Sequence, residues 1–231
     1  MDYNGVLLPI DESIPPDPDT QKVVSRERKR IDQLMRREIG TLTDPIELSD
    51  DQECSAGNLL ADALLERVKN AQISFVLAGH WETGLEDGSL TQGALFTANR
   101  STANPAWIKL TGSQVKQFLR EASKPENAER KIHALRGRAV GMPHFAGVKI
   151  IHRNTNGLEN FEIEFQGKPI KDNESYLVAS TDMEFSDYIG YLVIPFETME
   201  FEVPTIMPEV LEDYISKHTP LSPPPPRFSG Q

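Results

Sequence analysis

Apolar residues recur at helical spacing between residues 53 and 68, which read ECSAGNLLADALLERV. Leu60, Leu64 and Val68 define one face of this segment, and Asp62 and Glu66 lie on the other. A stripe of period 3.6 predicts an amphipathic helix with its apolar face in a core. Small, turn-forming residues stand directly in front of this helix, so its N-terminus is expected to contact another part of the molecule.

Five shorter segments have the pattern of β-strands, at 73–79, 106–112, 147–153, 161–167 and 175–180. Residues Phe161, Ile163 and Phe165 alternate with glutamates, which indicates a sheet with one wet face. Thr111 is the predicted N-cap of a helix that follows the second strand. Helices and strands are mixed without regular βαβ alternation, so the predicted class is α+β, with mixed sheets flanked by helices. The predicted core contains Leu60, Leu64, Val68, Phe75, Leu77, Leu110, Phe118 and Leu119.

Composition shifts divide the chain into three parts. Residues 1–40 are predicted to form a linker and a leading helix, with Ile39 on its apolar face and Gly40 as its C-terminal stop. Residues 41–215 form the main domain. Residues 216–231 form a Pro-rich tail, expected to be extended and mobile.

Charge and composition exclude several classes of function. The 231 residues carry a formal net charge of −11, and a uniformly acidic surface repels nucleic acid and anionic membranes. No apolar run approaches the length of a membrane span, and the acidic, Pro-rich N-terminus is unlike a signal peptide. The single cysteine excludes an internal disulfide. The sequence therefore predicts a cytoplasmic protein that binds neither nucleic acid nor membrane.

The sequence contains no P-loop, GxGxxG, GxSxG or HExxH pattern. His80 has Glu82 nearby, but a histidine in a loop after a strand is the favoured interpretation over a metal ligand. Cys54 has no histidine close in sequence, so a small buried residue is favoured over a nucleophile. From these patterns we predict no catalytic residue, no metal ligand and no cofactor in this chain.

The 53–68 segment also carries a family resemblance. Residues Glu53, Gly57, Asn58, Leu59, Asp62 and Ala63, here called the opening motif, match the pattern E-x-x-x-G-N-L-x-x-D-A. This pattern begins the C-terminal domain of 5'-nucleotidases. The segments LEDGSLTQGALF, WIKLTGSQVKQFL and GKPIKDNESYLVAST resemble further motifs of that domain in the same order, and the linker motif IGTLTDPIEL precedes them. The resemblance covers roughly residues 10–205.

This resemblance implies a division of labour. In the family, an N-terminal metallophosphoesterase domain holds two divalent metals and cleaves the phosphate ester, and the C-terminal domain binds the nucleoside. The metal motifs D-x-H, G-D-x-x-D, G-N-H-E/D and G-H-x-H are absent here. Divalent metals are therefore expected only on a missing metallophosphoesterase domain, in cis or in trans, and the chain is expected to recognise a nucleoside or nucleotide without catalysis of its own. Two alternatives stay open: a non-catalytic interaction module, and part of a hydrolase for another substrate.

The positions that bind substrate in the family are the ones that depart from its pattern. Gln52 replaces an arginine before the opening motif, and Glu82 lies at or beside another arginine position. A carboxylate there predicts preference for a neutral nucleoside over its monophosphate.

The resemblance places a base-stacking ring at Phe145, opposite Phe185 or Tyr191, with Trp81 at the edge of the site and Asn104 as a remnant of another motif. Met183 aligns with the second ring better than Phe185 does by counting. The alternative for Phe145 is a simple core residue. Asn58 and Asp62 are expected to cap and hydrogen-bond rather than contact substrate.

Overall fold

The computed structural model of the protein describes residues 5–155 and 158–230. The helices are α1 (Pro18–Met35), α2 (Ser55–Arg67), α3 (Gln92–Ala98), α4 (Gly112–Ala122), α5 (Pro125–Ala128) and α6 (Met207–His218). The strands are β1 (Glu38–Leu42), β2 (Ile73–Leu77), β3 (Gly88–Thr91), β4 (Pro105–Thr111), β5 (Pro143–Ala146), β6 (Val148–Thr155), β7 (Leu158–Phe165), β8 (Lys168–Pro169), β9 (Ser175–Thr181), β10 (Glu200–Phe201) and β11 (Phe228–Gly230). The sequence predicts a loop containing Asn156 and Gly157 between the strand segments 147–153 and 161–167, and these two residues lie outside the described ones.

A mixed five-stranded sheet organises the domain, in the order β10-β4-β9-β2-β5. Strand β9 pairs antiparallel with β4 and parallel with β2, which in turn pairs antiparallel with β5. A second sheet has the order β11-β6-β7-β8, and β1 pairs with β3 in a two-stranded ribbon. The predicted α+β class with mixed sheets is confirmed.

The hydrophobic core has two clusters on either side of the central sheet. One cluster packs α4 and the aromatic residues Phe75, Phe118 and Phe145 against β2, β4 and β5. The other packs α2 and α6 together. All eight core residues predicted from the sequence are buried. Thr111 caps α4 as predicted, because its side chain and that of Gln114 form a reciprocal capping box.

The leading helix ends earlier than predicted. Helix α1 stops at Met35, and Ile39 and Gly40 belong to β1 instead. Ile39 is buried because β1 pairs with β3 and lies beside α6, so long-range strand pairing overrides the local helical pattern. Helix α1 itself buries no residue. Among the described residues, none of the helices combines the length and apolar character needed to cross a bilayer.

The Pro-rich tail is extended, as predicted, but it is attached to the domain. The backbone of Leu221 forms hydrogen bonds of 2.9 Å with Thr41 and Thr43, and β11 adds to the edge of β6. The expectation of a mobile tail does not fit these contacts. The division of the chain into three parts at residues 40 and 215 stays a prediction.

Candidate functional site

An open groove of about 920 Å³ lies beyond the C-terminal end of β9. Its walls include Asp182, Phe185, Asp187, Tyr188, Phe196 and Met199, and we call it the aromatic groove. A cavity of this size is typical of sites for small organic molecules, which combine apolar walls with a few polar groups.

Two aromatic side chains of the groove are exposed. Tyr188 is 75% and Phe196 is 68% exposed, whereas Phe185 is almost fully buried against Phe75. Large exposed rings around a concavity are unusual on a protein surface and indicate a place where a partner or ligand binds. Two short turns present them: Ser186 bonds back to Met183 through both its N–H and its hydroxyl, and Met199 N–H donates to Phe196 C=O at 3.1 Å.

A buried polar network supports the wall formed by residues 182–187. The carboxylate of Glu184 accepts hydrogen bonds from His80 Nε2 at 2.8 Å, from Leu77 N–H at 3.1 Å and from the Thr181 hydroxyl. The other ring nitrogen of His80, Nδ1, lies 2.7 Å from Ser101 Oγ. The network therefore ties the loop after β9 to the end of β2.

The ionisation of Glu184 follows from these partners. Burial raises the pKa of this carboxyl, but the neighbouring His80 and the hydrogen bonds from His80, Thr181 and Leu77 outweigh it and hold the pKa below its usual range. Asp182 behaves differently, because burial raises its pKa and the N–H groups of Asn104 and Met183 compensate only in part. Asp182 and Asp187 give the groove an acidic rim.

The predicted site residues are distributed between the groove and the core. Phe185 lines the groove. Phe145 is fully buried on β5, with ring centroids 5.9 Å from Phe75 and 6.3 Å from Phe118. Tyr191 is also buried and packs its ring edge-to-face on Phe118 at 5.7 Å. Phe145 and Tyr191 thus surround Phe118 in the core and leave no gap for a base between them.

Trp81 and Asn104 have supporting positions. Trp81 is fully buried in the cluster around α2, and its backbone forms an isolated antiparallel β-bridge with Asn99. Asn104 is bonded to the groove wall, since its N–H donates to Asp182 Oδ1 at 3.0 Å and its side-chain amide donates to Thr205 C=O at 2.7 Å. Contact between the five predicted site residues and a ligand stays a prediction.

The predicted charge reversal at Glu82 is compensated locally. Its carboxylate lies 3.8 Å from Arg136 Nη1 and 3.8 Å from Arg138 Nη1. Glu82 lines a small separate cavity beside the groove, together with Arg136. These two arginines offset the charge of Glu82, so it repels a phosphate less than the sequence predicts, and the acidic character of the groove comes from Asp182 and Asp187.

Sequence reasoning missed Tyr188, Phe196 and the His80–Glu184 pair. Tyr188 lies between Phe185 and Tyr191, the two rings that the resemblance offers for the site. Nothing in the sequence distinguishes the exposed ring from the buried ones. In the described ranges, no group of three or more His, Cys, Asp or Glu side chains converges as a metal site.

The helix α2 begins against a buried histidine. His144 Nε2 accepts a hydrogen bond from Cys54 N–H at 3.0 Å, and His144 Nδ1–H donates to Met142 C=O at 3.1 Å. A β-carbon on Gly57 would lie 2.2 Å from the imidazole, so the glycine of the opening motif makes room for this ring. Cys54 is buried, as predicted, and burial raises the pKa of its thiol.

Comparisons with known proteins place the chain in a family context. A model of the family described as "5'-nucleotidase, C-terminal domain" matches residues 38–194. The chain is 25% identical over 202 residues to an uncharacterized metallophosphoesterase, YunD, of Bacillus subtilis, and it covers 43% of that protein with 86% of its own length. It is 26% identical over 172 residues to the protein UshA of Yersinia enterocolitica, which corresponds to 74% of this chain and 28% of that protein.

Solved structures share the fold. The NAD nucleotidase NadN of Haemophilus influenzae superposes with a TM-score of 0.72 at 18% identity, over 93% of this chain and 42% of that one. A 5'-nucleotidase precursor of Thermus thermophilus gives a TM-score of 0.68 at 16% identity, over 95% of this chain and 44% of that one. The chain thus spans less than half the length of the relatives it matches.

Proposed function

Because the chain belongs to the 5'-nucleotidase C-terminal domain family, we propose that it recognises the nucleoside part of a substrate and takes no part in bond cleavage itself. The aromatic groove is the proposed binding site. The observation that carries this proposal is the pair of exposed rings, Tyr188 and Phe196, at a concavity of about 920 Å³ in this fold. Planar bases stack on such rings without needing a charged partner.

The acidic rim sets the expected preference among ligands. Asp182 and Asp187 line the groove, and in the part of the chain that the structure describes no Lys or Arg lines it. Like charges brought together at an interface are destabilising, more so in a partly dry site. A neutral nucleoside is therefore proposed to bind more tightly than its monophosphate.

A metallophosphoesterase domain, in cis or in trans, is the proposed partner. Two observations support this proposal. The chain covers only 43% of the length of the relative YunD. On α1, Val24, Ile31 and Leu34 are 46–55% exposed, and the helix buries no residue. An apolar helix face without a core is typical of a surface that another domain covers.

Isothermal titration calorimetry of the whole chain with adenosine and with AMP tests the groove. We expect adenosine to bind, and AMP to bind more weakly. Tyr188→Ala and Phe196→Ala should each weaken adenosine binding roughly 2- to 12-fold, the factor for losing about 0.5–1.5 kcal/mol of ring stacking. Val203→Ala is the matched control, because Val203 is 62% exposed and is not a lining residue of the groove.

Two results would count against the proposal. Tighter binding of AMP than adenosine would refute the charge argument while leaving the groove in place. Absence of binding by either ligand would favour the second candidate, an interaction module that has kept the fold and lost nucleoside recognition. The burial of Phe145 and Tyr191 in the core favours that candidate, since Phe145 matches a stacking position of the family and Tyr191 is one of the two rings predicted opposite it.

A further inference from the structure

The last described residues of the tail form a parallel edge strand on the second sheet. Residues Phe228, Ser229 and Gly230 pair with Ile150, Ile151 and His152 of β6, and Ile150 N–H donates to Arg227 C=O at 2.8 Å. Without β11, strand β6 would be an edge with unpaired backbone groups. This arrangement is β-strand addition, a recurrent way of binding an extended peptide.

Asp62 of the opening motif binds Arg227 of the tail. Arg227 Nη2 donates to both carboxylate oxygens of Asp62, at 2.7 and 2.8 Å. Both residues are largely buried, with side-chain exposures of 19% and 18%. Hydrogen bonds between an ionised donor and an ionised acceptor are stronger than neutral ones, so this contact is selective for a cation in this position.

Glu53 and Asn58 bind the backbone of the tail on either side of that arginine. The carboxylate of Glu53 accepts from Arg227 N–H, from Phe228 N–H at 3.0 Å and from Asn58 Nδ2 at 2.8 Å. The same Asn58 amide donates to Pro225 C=O at 3.3 Å. These two side chains therefore bind the extended backbone of the tail through hydrogen bonds.

An aromatic contact completes the site. The ring of Phe228 lies edge-on to Phe145 at 6.4 Å and to Phe161 at 6.5 Å between centroids, so it joins the core through β5 and β7. Four prolines, residues 223–226, separate this anchor from the one at Leu221. A run of prolines is stiff and extended, which holds the arginine near its site at little entropic cost.

We propose that Glu53, Asn58 and Asp62, together with the edge of β6, form a binding site for an extended Pro-Arg-Phe peptide. The chain's own tail occupies this site, and a separate peptide of the same chemistry competes with it. The tail lies beyond the region matched by the family model, which ends at residue 194, yet it binds the opening motif of that region. The contact between the Arg227 guanidinium and the Asp62 carboxylate gives specificity, and the backbone pairing gives affinity independent of sequence.

The test uses a variant of the whole chain whose tail no longer occupies the site, here called the emptied variant. Arg227→Ala combined with Phe228→Ala removes both anchoring side chains of the tail. A fluorescent peptide, Ser-Pro-Pro-Pro-Pro-Arg-Phe-Ser-Gly, should bind this variant in a polarisation assay and bind the unaltered chain at least tenfold more weakly, because the tail then competes in cis. Adding Asp62→Asn to the emptied variant should weaken the peptide at least tenfold. A peptide with alanine in place of both Arg and Phe is the control ligand.

Hydrogen exchange supplies a local readout that a general loss of stability would not reproduce. In the emptied variant the amide of Ile150 should exchange rapidly, and saturating peptide should restore its protection, since that amide donates to the arginine carbonyl. A variant that keeps its folded circular dichroism spectrum but binds no peptide would overturn the proposal. Equal binding of the alanine control peptide would overturn it as well.

Discussion

Protonation of His144 is expected to destabilise the fold in mild acid. The imidazole is fully buried, and its two nitrogens are engaged by Cys54 N–H and by Met142 C=O. The N–H of Cys54 needs an unprotonated Nε2 as its acceptor. Burial lowers the pKa of His144 from 6.5 to about 4, and the hydrogen bond to Met142 opposes this only in part.

The direction and size of this change in the free energy of unfolding follow from proton linkage. The unfolded chain binds a proton on this residue below pH 6.5, whereas the folded chain resists it down to about pH 4. The stabilising contribution is therefore complete above pH 6.5 and is lost as the pH falls from 6.5 to 4. With these two pKa values, the loss is about 2 kcal/mol at pH 5 and about 3 kcal/mol at pH 4.

Urea unfolding at pH 7.5 and pH 5 measures this loss, with His144→Gln as the comparison variant. Glutamine keeps an acceptor for Cys54 N–H and does not titrate in this range. We expect the free energy of unfolding to fall by about 2 kcal/mol more in the unaltered chain than in the variant. An equal fall in both proteins would mean that groups other than His144 cause the pH dependence.

Three further predictions concern the opening motif, the groove wall and catalysis. Gly57→Ala should destabilise by roughly 1–3 kcal/mol in thermal unfolding, because the new methyl group overlaps the His144 ring, and a His144→Ala background should remove most of that cost. Glu184→Gln should lower stability by about 1–3 kcal/mol and weaken adenosine binding, because it removes the buried charge that accepts a hydrogen bond from His80. Unchanged adenosine binding in a folded variant would mean that the buried network does not support the groove. The isolated chain should release no phosphate from AMP with Mn²⁺, Zn²⁺ or Co²⁺, and release that scales with protein and survives repurification would contradict the recognition-only role.

The sequence predicts those parts of the fold that local patterns determine. The stripe Leu60, Leu64, Val68 predicts burial correctly, because a helix with one apolar face has one way to bury it. The alternation around Ile163 predicts burial only in part, since Ile163 is buried but Phe161 and Phe165 are half-buried. The capping of α4 by Thr111 is equally local. The end of α1 is different, since Ile39 fits the helical stripe and only pairing between β1 and β3 places it in a strand.

The candidate site depends on contacts between distant segments, which explains its partial prediction. Phe145 matches a ring position of the family and Tyr191 is a candidate for the opposite ring, but whether a ring is exposed depends on how Phe118 fills the space between them. Asn58 and Asp62 are predicted to cap the helix and to hydrogen-bond. Both form hydrogen bonds, but neither caps α2, because both lie inside the helix and its N-cap residue is Cys54. Their partner is Arg227 and its neighbours, about 165 residues further along the chain, which no local pattern indicates.

Mapping adenosine onto the ¹⁵N-labelled chain by NMR tests whether the aromatic groove binds a nucleoside. We expect saturable amide shift changes that concentrate in residues 182–188 and 196–199, the two turns that carry Tyr188 and Phe196. We also expect Tyr188→Ala to reduce these changes and Val203→Ala to leave them unaltered. Changes confined to other surfaces, or no change at saturating adenosine, would contradict the assignment of the aromatic groove as a nucleoside site.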